Sequence, residues 1–368
     1  MSSPKIYDLT ENKGLLTFTL KGVNVSIANG LRRTMISDID TVVFRTTPYE
    51  KNDAEFKVNT SRFNNEILKQ RLSCIPIHIK DVDGFPYDQY ICECSVKNET
   101  DEVIYVTTKD FMIKNVLTGE YINDDQKEKI FPKNTITEEY IKFCRLRPKI
   151  SDEIPGEEIQ FTCKFSIGNC KENSMFNVLS TCAYGNTLDI LRINEMWDNK
   201  ENQYRSDGIT KEEIEFNKTN WLATDAKRIY EENSFDFKVK TIGVFTNKYI
   251  LTTACKKIID KLTEIKNSIP EIQILPANVV NENSFDICLY NEGNTIGKIL
   301  ESIIHIRFFE KEKKILYVGF KKNHPHDEYC YIRVILGKDD DIDVLRKSIL
   351  EKSLDDGITI YTEIKNQI

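Results

Sequence analysis

Ser26-Ile27-Ala28-Asn29-Gly30-Leu31-Arg32-Arg33-Thr34-Met35-Ile36 is the stretch that decides the fold. Ser26 is a hydroxyl residue suited to an N-cap, and Ile27, Leu31 and Met35 recur at i, i+4 and i+8, so the stretch predicts a helix with one apolar stripe. Ala28 and Gly30 are small residues in its early turns, and Ala28 in the first turn suits close approach of another helix. Arg32 and Arg33 point away from the stripe. Asp38-Ile39-Asp40 ends the helix, and Leu15-Leu16-Thr17-Phe18-Thr19-Leu20 ahead of it reads as a strand running into a turn at Gly22.

The same pattern returns near the C-terminus. Thr295-Ile296-Gly297-Lys298-Ile299-Leu300 aligns with Ser26 to Leu31: a hydroxyl N-cap, an isoleucine, a small residue and a leucine one turn on. Strand-like runs follow at 315–320 and 331–336, and then a terminal helix carrying Ile342, Leu345, Ile349 and Leu354. In the first copy the matching late elements are a strand, Phe235 to Val239, a turn at Gly243, and an amphipathic helix whose face holds Leu251, Cys255, Ile258, Ile259 and Leu262. Each copy would have a sheet with helices on a single face. Such a layer is hidden by packing against a second one, so the expected fold is a pseudo-dimer within one chain. Its seam is expected to use Ile27, Ala28, Leu31 and Met35, then Leu251, Cys255 and Ile258, against Ile296, Gly297, Leu300, Ile304, Leu345 and Ile349.

Between the copies the pattern changes. Strands are expected at 41–46 and 55–58 and a short helix from Phe63 to Leu72, closed by Cys74-Ile75-Pro76. Residues 78–220 show short β-like runs such as Tyr90 to Val96, separated by charged turns. Within them, 199–220 is dense in charge with little periodicity and reads as a surface loop. The segment from Asn267 through Pro276 reads as a linker. The expected class is α+β: a first dimerisation block of 1–77 plus 221–268, an inserted mainly β domain of 78–220, and a second dimerisation block of 269–368.

The bulk numbers set limits. In 368 residues, 40% hydrophobic and 30% charged describe a globular chain with real cores. A net charge of −7 argues against a protein whose main task is gripping phosphate backbones. No apolar run approaches the ~20 residues of a membrane span, and the polar start carries no hydrophobic segment, so neither membrane insertion nor secretion is expected. Ten scattered cysteines suggest free thiols in a reducing compartment, cytoplasm or nucleus.

Taken together, Asn24 to Arg33, Asn59-Thr60-Ser61 with Asn65-Glu66, and Arg71-Leu72-Ser73-Cys74-Ile75-Pro76 resemble the α-like assembly subunit of cellular RNA polymerases. Its bacterial form is the α N-terminal domain, its archaeal form the D protein, and its eukaryotic form the third-largest polymerase subunit. Leu146-Arg147-Pro148 before Gly156-Glu157-Glu158, and Lys171 to Val178, resemble the family's return from its inserted domain. Asn291 to Gly297, with Gly319-Phe320 and His324-Pro325, resembles the smaller partner, the archaeal L protein or the eukaryotic eleventh subunit. Both partners in one chain resemble the arrangement in large cytoplasmic DNA viruses, including the poxvirus and African swine fever virus lineages. The resemblance implies a non-catalytic scaffold of a DNA-directed RNA polymerase, working in the cytoplasm rather than the nucleus, touching DNA only through the complex, and docking the second-largest subunit and small accessory subunits. It places Arg32, Arg33, Asn29 and Arg71 at the large-subunit interface, where guanidinium forks pair with carboxylates. The matching positions of the second copy are Glu301 and Ser302, so that half is expected to lack the contact.

The rival reading is a stand-alone metal-dependent enzyme using Cys92 and Cys94 with His324 and His326. No nearby second pair completes four ligands around the cysteines, and His324-Pro325-His326 reads as a hairpin turn, so neither a metal nor another cofactor is expected. Asp339-Asp340-Asp341 reads as the N-cap region of the last helix. No catalytic residue is assigned.

Overall fold

The computed structural model describes residues 3–151, 153–277, 283–337 and 342–368. Its helices, in chain order, are α1 (Val25–Ser37), α2 (Asn65–Ser73), α3 (Asp124–Ile130), α4 (Ile190–Ser206), α5 (Lys211–Ala223), α6 (Asn247–Asn267), α7 (Asn294–Ile304), α8 (Ile342–Val344) and α9 (Glu351–Lys365). Two compact units form: Met1–Met35 with Thr181–Lys240 and Asn247–Ile368, and Ile36–Ser180 with Thr241–Thr246. The second therefore begins upstream of the expected insert at residue 78 and stops before its expected end at 220.

In the first unit, alternation builds an antiparallel sheet ordered Lys5–Asn12, Leu15–Lys21, Tyr230–Thr241, Leu179–Leu188. Leu16, Phe18 and Leu20 alternate with exposed-side threonines and pair in register with Val239, Phe237 and Phe235. All six are buried, and the Phe18 and Phe237 rings stack at 4.8 Å. A second four-stranded sheet is ordered Ile274–Pro276, Ser284–Tyr290, Tyr329–Leu336, Ile315–Lys321, with Cys330, Ile332, Val334 and Leu336 buried at every second position. Thus the expected α+β class with two sheet-and-helix blocks is what folds. The His324 to His326 stretch lies in the connection between the last two strands, where Asp327 accepts from the His324 amide at 2.8 Å.

The helix starts differ from expectation. Asn24, not Ser26, caps α1: its side-chain oxygen accepts from the Ser26 amide at 2.7 Å, and its carbonyl accepts from Ile27 and Ala28. In the second copy Gly293 precedes α7 and no side chain caps it. Ser26 and Thr295 are each the second residue of their helix, so the alignment keeps register although the capping role does not.

Two π-helical segments also fall in the second copy. His305–Lys311 continues α7, and Leu345–Leu350 joins α8 to α9. Leu345, Ile349 and Leu350 are buried within the second of these segments, and Ser353 and Leu354 carry the buried face on into α9. Asp339-Asp340-Asp341 lies outside the described residues.

The stretch 199–220, expected as a loop, belongs instead to a helical hairpin formed by α4 and α5. Asp189 caps α4, and Thr210 with Glu213 forms a reciprocal capping box on α5. Ile193, Trp197, Ile214, Trp221 and Ala226 bury one another, with the indole rings 5.6 Å apart. Lys200 covers the Trp221 ring and Lys218 the Trp197 ring, each at 5.8 Å. The apolar residues are few but spaced by four and seven, which is helical spacing that the surrounding charge conceals. Replacing Thr210 by alanine should cost about 1 kcal/mol, raising amide exchange across α5 about fivefold; unchanged exchange would show that the box does not hold this helix.

The second unit carries a sheet ordered Ala54–Asn59, Glu158–Lys164, Tyr90–Lys97, Met112–Asn115 and two-stranded pairs Ile104–Thr107 with Lys142–Leu146 and Thr41–Val43 with Ser166–Gly168. Phe111 sits edge-on to Phe131, Phe143 and Phe161 at 5.7, 5.6 and 5.3 Å. A short repeat appears here: Lys114-Asn115-Val116-Leu117-Thr118-Gly119-Glu120-Tyr121 and Lys133-Asn134-Thr135-Ile136-Thr137-Glu138-Glu139-Tyr140 build the same turn. In each, the asparagine side chain accepts two amides and the lysine covers the tyrosine ring. Leu117 and Ile136 stand at the tips, 75% and 90% exposed.

Candidate functional site: paired helices and an arginine face

The expected seam residues Ile27, Ala28, Leu31, Met35, Leu251, Cys255, Ile258, Ile296, Gly297, Leu300, Ile304, Leu345 and Ile349 are all buried. What presses helix on helix, however, is a different set of small residues. A Cβ added at Gly30 would lie 2.6 Å from Ile299 Cδ1 and 3.0 Å from the Tyr361 hydroxyl. One at Gly357 would lie 2.9 Å from Leu262 Cδ1 and 3.2 Å from Ile303 Cδ1. Gly297, expected to admit another helix, instead receives the Phe320 ring of the neighbouring strand, with no room for a Cβ. Its smallness seats α7 on its own sheet.

Polar contacts tie the same elements. Tyr361 Oη donates to the Ile27 carbonyl at 3.0 Å, Lys266 pairs with Asp355 at 2.6 Å, and Gln367 bonds both the Ile6 amide and the Pro4 carbonyl at 2.8 Å. Arg346 donates to the carbonyls of Ile269, Pro270 and Ile272 at 2.9 to 3.0 Å, which fixes the linker after α6.

On the other side of α1, Arg32 Nε donates to Asn29 Oδ1 at 3.0 Å. This orients its guanidinium, half-buried beside Cys182, whose thiol donates to the Arg32 carbonyl and is pushed up to about 12 by burial. Arg33 is exposed, and its Nε donates to Thr295 Oγ1 at 3.1 Å. At the equivalent positions of α7, Glu301 accepts from the Phe320 amide and pairs with Lys298, and Ser302 is buried without a hydrogen-bond partner among the described residues. The two helices thus present different chemistry. Arg71 stands apart from this set: in the second unit its guanidinium donates to the carbonyls of Phe143 and Lys142 at 2.7 and 2.8 Å and lies over the Phe63 ring. Those bonds tie α2 to the adjoining strand, so Arg71 has a structural task beside any contact.

Among the described residues no three His, Cys, Asp or Glu side chains converge as metal ligands. Cys92 faces Cys163 across two strands and Cys94 faces Phe161, all buried, and burial pushes the thiols of Cys92, Cys94 and Cys163 well up. A raised pKa lowers the thiolate fraction at neutral pH, and thiolate is the reactive form. Iodoacetamide at pH 7 should therefore label exposed Cys74 in the native chain and reach Cys92 and Cys163 only after denaturation; rapid native labelling of Cys92 would contradict this packing.

Sequence reading missed Gly30 as a packing site and Tyr361 and Gly357 altogether. Gly30 carried a signal, a glycine inside a helix where alanine would be favoured.

The profile of the RNA polymerase Rpb3/Rpb11 dimerisation domain matches residues 17–262. A conjugation stage-specific protein of Tetrahymena thermophila is 24% identical over 299 residues, 69% of this chain and 91% of that protein. The DNA-directed RNA polymerase subunit Rpo3 of Methanosphaera stadtmanae is 23% identical over 276 residues, 69% of this chain and 94% of that subunit. Rpo3 of Pyrococcus horikoshii is 30% identical over 105 residues, 27% of this chain and 38% of that subunit. Among the described residues no helix is long and apolar enough to cross a membrane.

Proposed function

Because the chain belongs to the RNA polymerase Rpb3/Rpb11 dimerisation family, whose members are assembly subunits and not the catalytic ones, we propose that it is a scaffold carrying both halves of the dimeric platform in one polypeptide. The observation that supports this most is the fit of α1 against residues of α7 and α9: Gly30 on Ile299, and Tyr361 on the Ile27 carbonyl. The family match ends at residue 262, so the assignment of 269–368 as the eleventh-subunit-like half rests on that packing and on the repeated helix.

On this platform Asn29, Arg32 and Arg33 form the docking face for the second-largest subunit. Asn29 orients Arg32, and the absence of arginine at Glu301 and Ser302 makes the face one-sided. Guanidinium forks fit partner carboxylates, which sets both affinity and register. Small accessory subunits bind the same platform, and DNA is reached only through the complex, in keeping with the net charge of −7. The ten cysteines are all free, which fits a reducing compartment, and a fused subunit of the viral kind would work in the cytoplasm.

The test is co-expression of the tagged chain with its cognate large polymerase subunits. Recovery of the second-largest subunit in a near-equal amount is expected; its absence, with a folded chain, would overturn the proposal.

A further inference from the structure

Aligned through Ser26 and Thr295, α1 and α7 match apolar for apolar: Ile27 with Ile296, Leu31 with Leu300, Met35 with Ile304. Gly30 matches Ile299, and there the repeat departs furthest in volume. These two are also the residues that meet: the space a Cβ would take at Gly30 is filled by Ile299 Cδ1 and Cγ1, at 2.6 and 3.0 Å. In an interface between related halves, a position that touches its own counterpart lies near the axis that relates them. A symmetric pair would place the same residue on both sides of that axis. This chain places a hole on one side and a plug on the other, and Ile299 is fully buried in the hole.

We propose that Gly30 and Ile299 are a socket and plug that select pairing between unlike halves, so that the chain closes on itself and neither half pairs with its own kind in a second copy. Glycine against glycine would leave the volume of an isoleucine side chain empty, with the loss of its packing. Isoleucine against isoleucine would force two branched side chains into space for one, and would also strike the Tyr361 hydroxyl, 3.0 Å from the Gly30 Cβ position. Only the unlike combination fills the site. Glycine inside a helix costs stability relative to alanine, so its place in α1 is one that packing, and not helix propensity, requires. The inference rests on the pseudo-dimer reading and names the residue pair that sets its specificity.

Four full-length chains test it: the native Gly/Ile, Gly30→Ile, Ile299→Gly, and the exchange Gly30→Ile with Ile299→Gly. The single variants reproduce, inside one chain, the two like-with-like pairings. The exchange keeps one glycine and one isoleucine on the two helices, so helix propensity is nearly balanced. Thermal unfolding and native mass are read for each. Expected are a fall in Tm of several degrees for both single variants, with dimers or larger species appearing for Gly30→Ile, and in the exchange a monomeric mass with a loss clearly smaller than the sum of the single losses, the Tyr361 hydroxyl beside residue 30 keeping it short of full recovery. Losses in the exchange equal to the sum of the single losses would overturn the socket and plug while leaving the paired halves in place. Single variants that melt like the native chain would mean that the two helices do not pack there, and the pseudo-dimer reading would fall with the inference.

Discussion

Tyr361→Ala is expected to remove about 3–5 kcal/mol of stability and to lower Tm on the order of 10 °C. The ring is fully buried, and it stands where α9 meets α1. Truncation would leave a cavity beside Gly30, where the backbone of α1 cannot follow without losing its own packing on Ile299. It would also withdraw the hydroxyl from the Ile27 carbonyl, a bond spanning 334 residues of sequence. Tyr361→Phe separates the two effects: it keeps the ring and loses one neutral hydrogen bond, for about 1 kcal/mol. Calorimetry or circular dichroism on the three chains checks this. A loss for Tyr361→Ala no larger than that for Tyr361→Phe would show that the ring does not join the halves.

Arg32→Glu with Arg33→Glu is expected to weaken binding of the second-largest subunit about 100-fold or more, with the chain still folded. Charge reversal removes two fork donors and sets carboxylates against the acidic groups such donors attract. Arg32 is oriented by Asn29, so Asn29→Ala should reproduce part of the loss. Because Arg33 also donates to Thr295, the control is Thr295→Val, which removes that bond without altering the arginine's charge. Binding that survives charge reversal but fails in Thr295→Val would assign the arginines to the seam between the halves and not to the docking face. A guanidinium-carboxylate contact should also weaken as salt rises.

How far the sequence carried this architecture can be seen at particular residues. The stripe Ile27, Leu31, Met35 and its counterpart Ile296, Leu300, Ile304 were legible because local periodicity dictates which face of a helix is apolar, and all six are buried. The capping role was misread because Asn24 and Ser26 are both good caps, and only the backbone path decides between them. The helical character of residues 199–220 was hidden by their charge, although Trp197 and Trp221 at their flanks with Thr210-x-x-Glu213 carried the signal of a helical pair. Gly297, expected to admit a helix, receives a ring instead, and Gly30, which was given no such role, admits the isoleucine of another helix. Which small residue admits a helix and which admits a ring depends on chains brought together from far apart, and nothing local encodes that.

Native mass spectrometry of the polymerase purified through a tag on this chain tests the central claim most directly. One copy of the 42.8 kDa chain for each second-largest subunit, with no separate small dimerisation partner, is the expected composition. Two copies of the chain, or one copy joined by a separate partner on the same seam, would contradict a platform built from a single polypeptide.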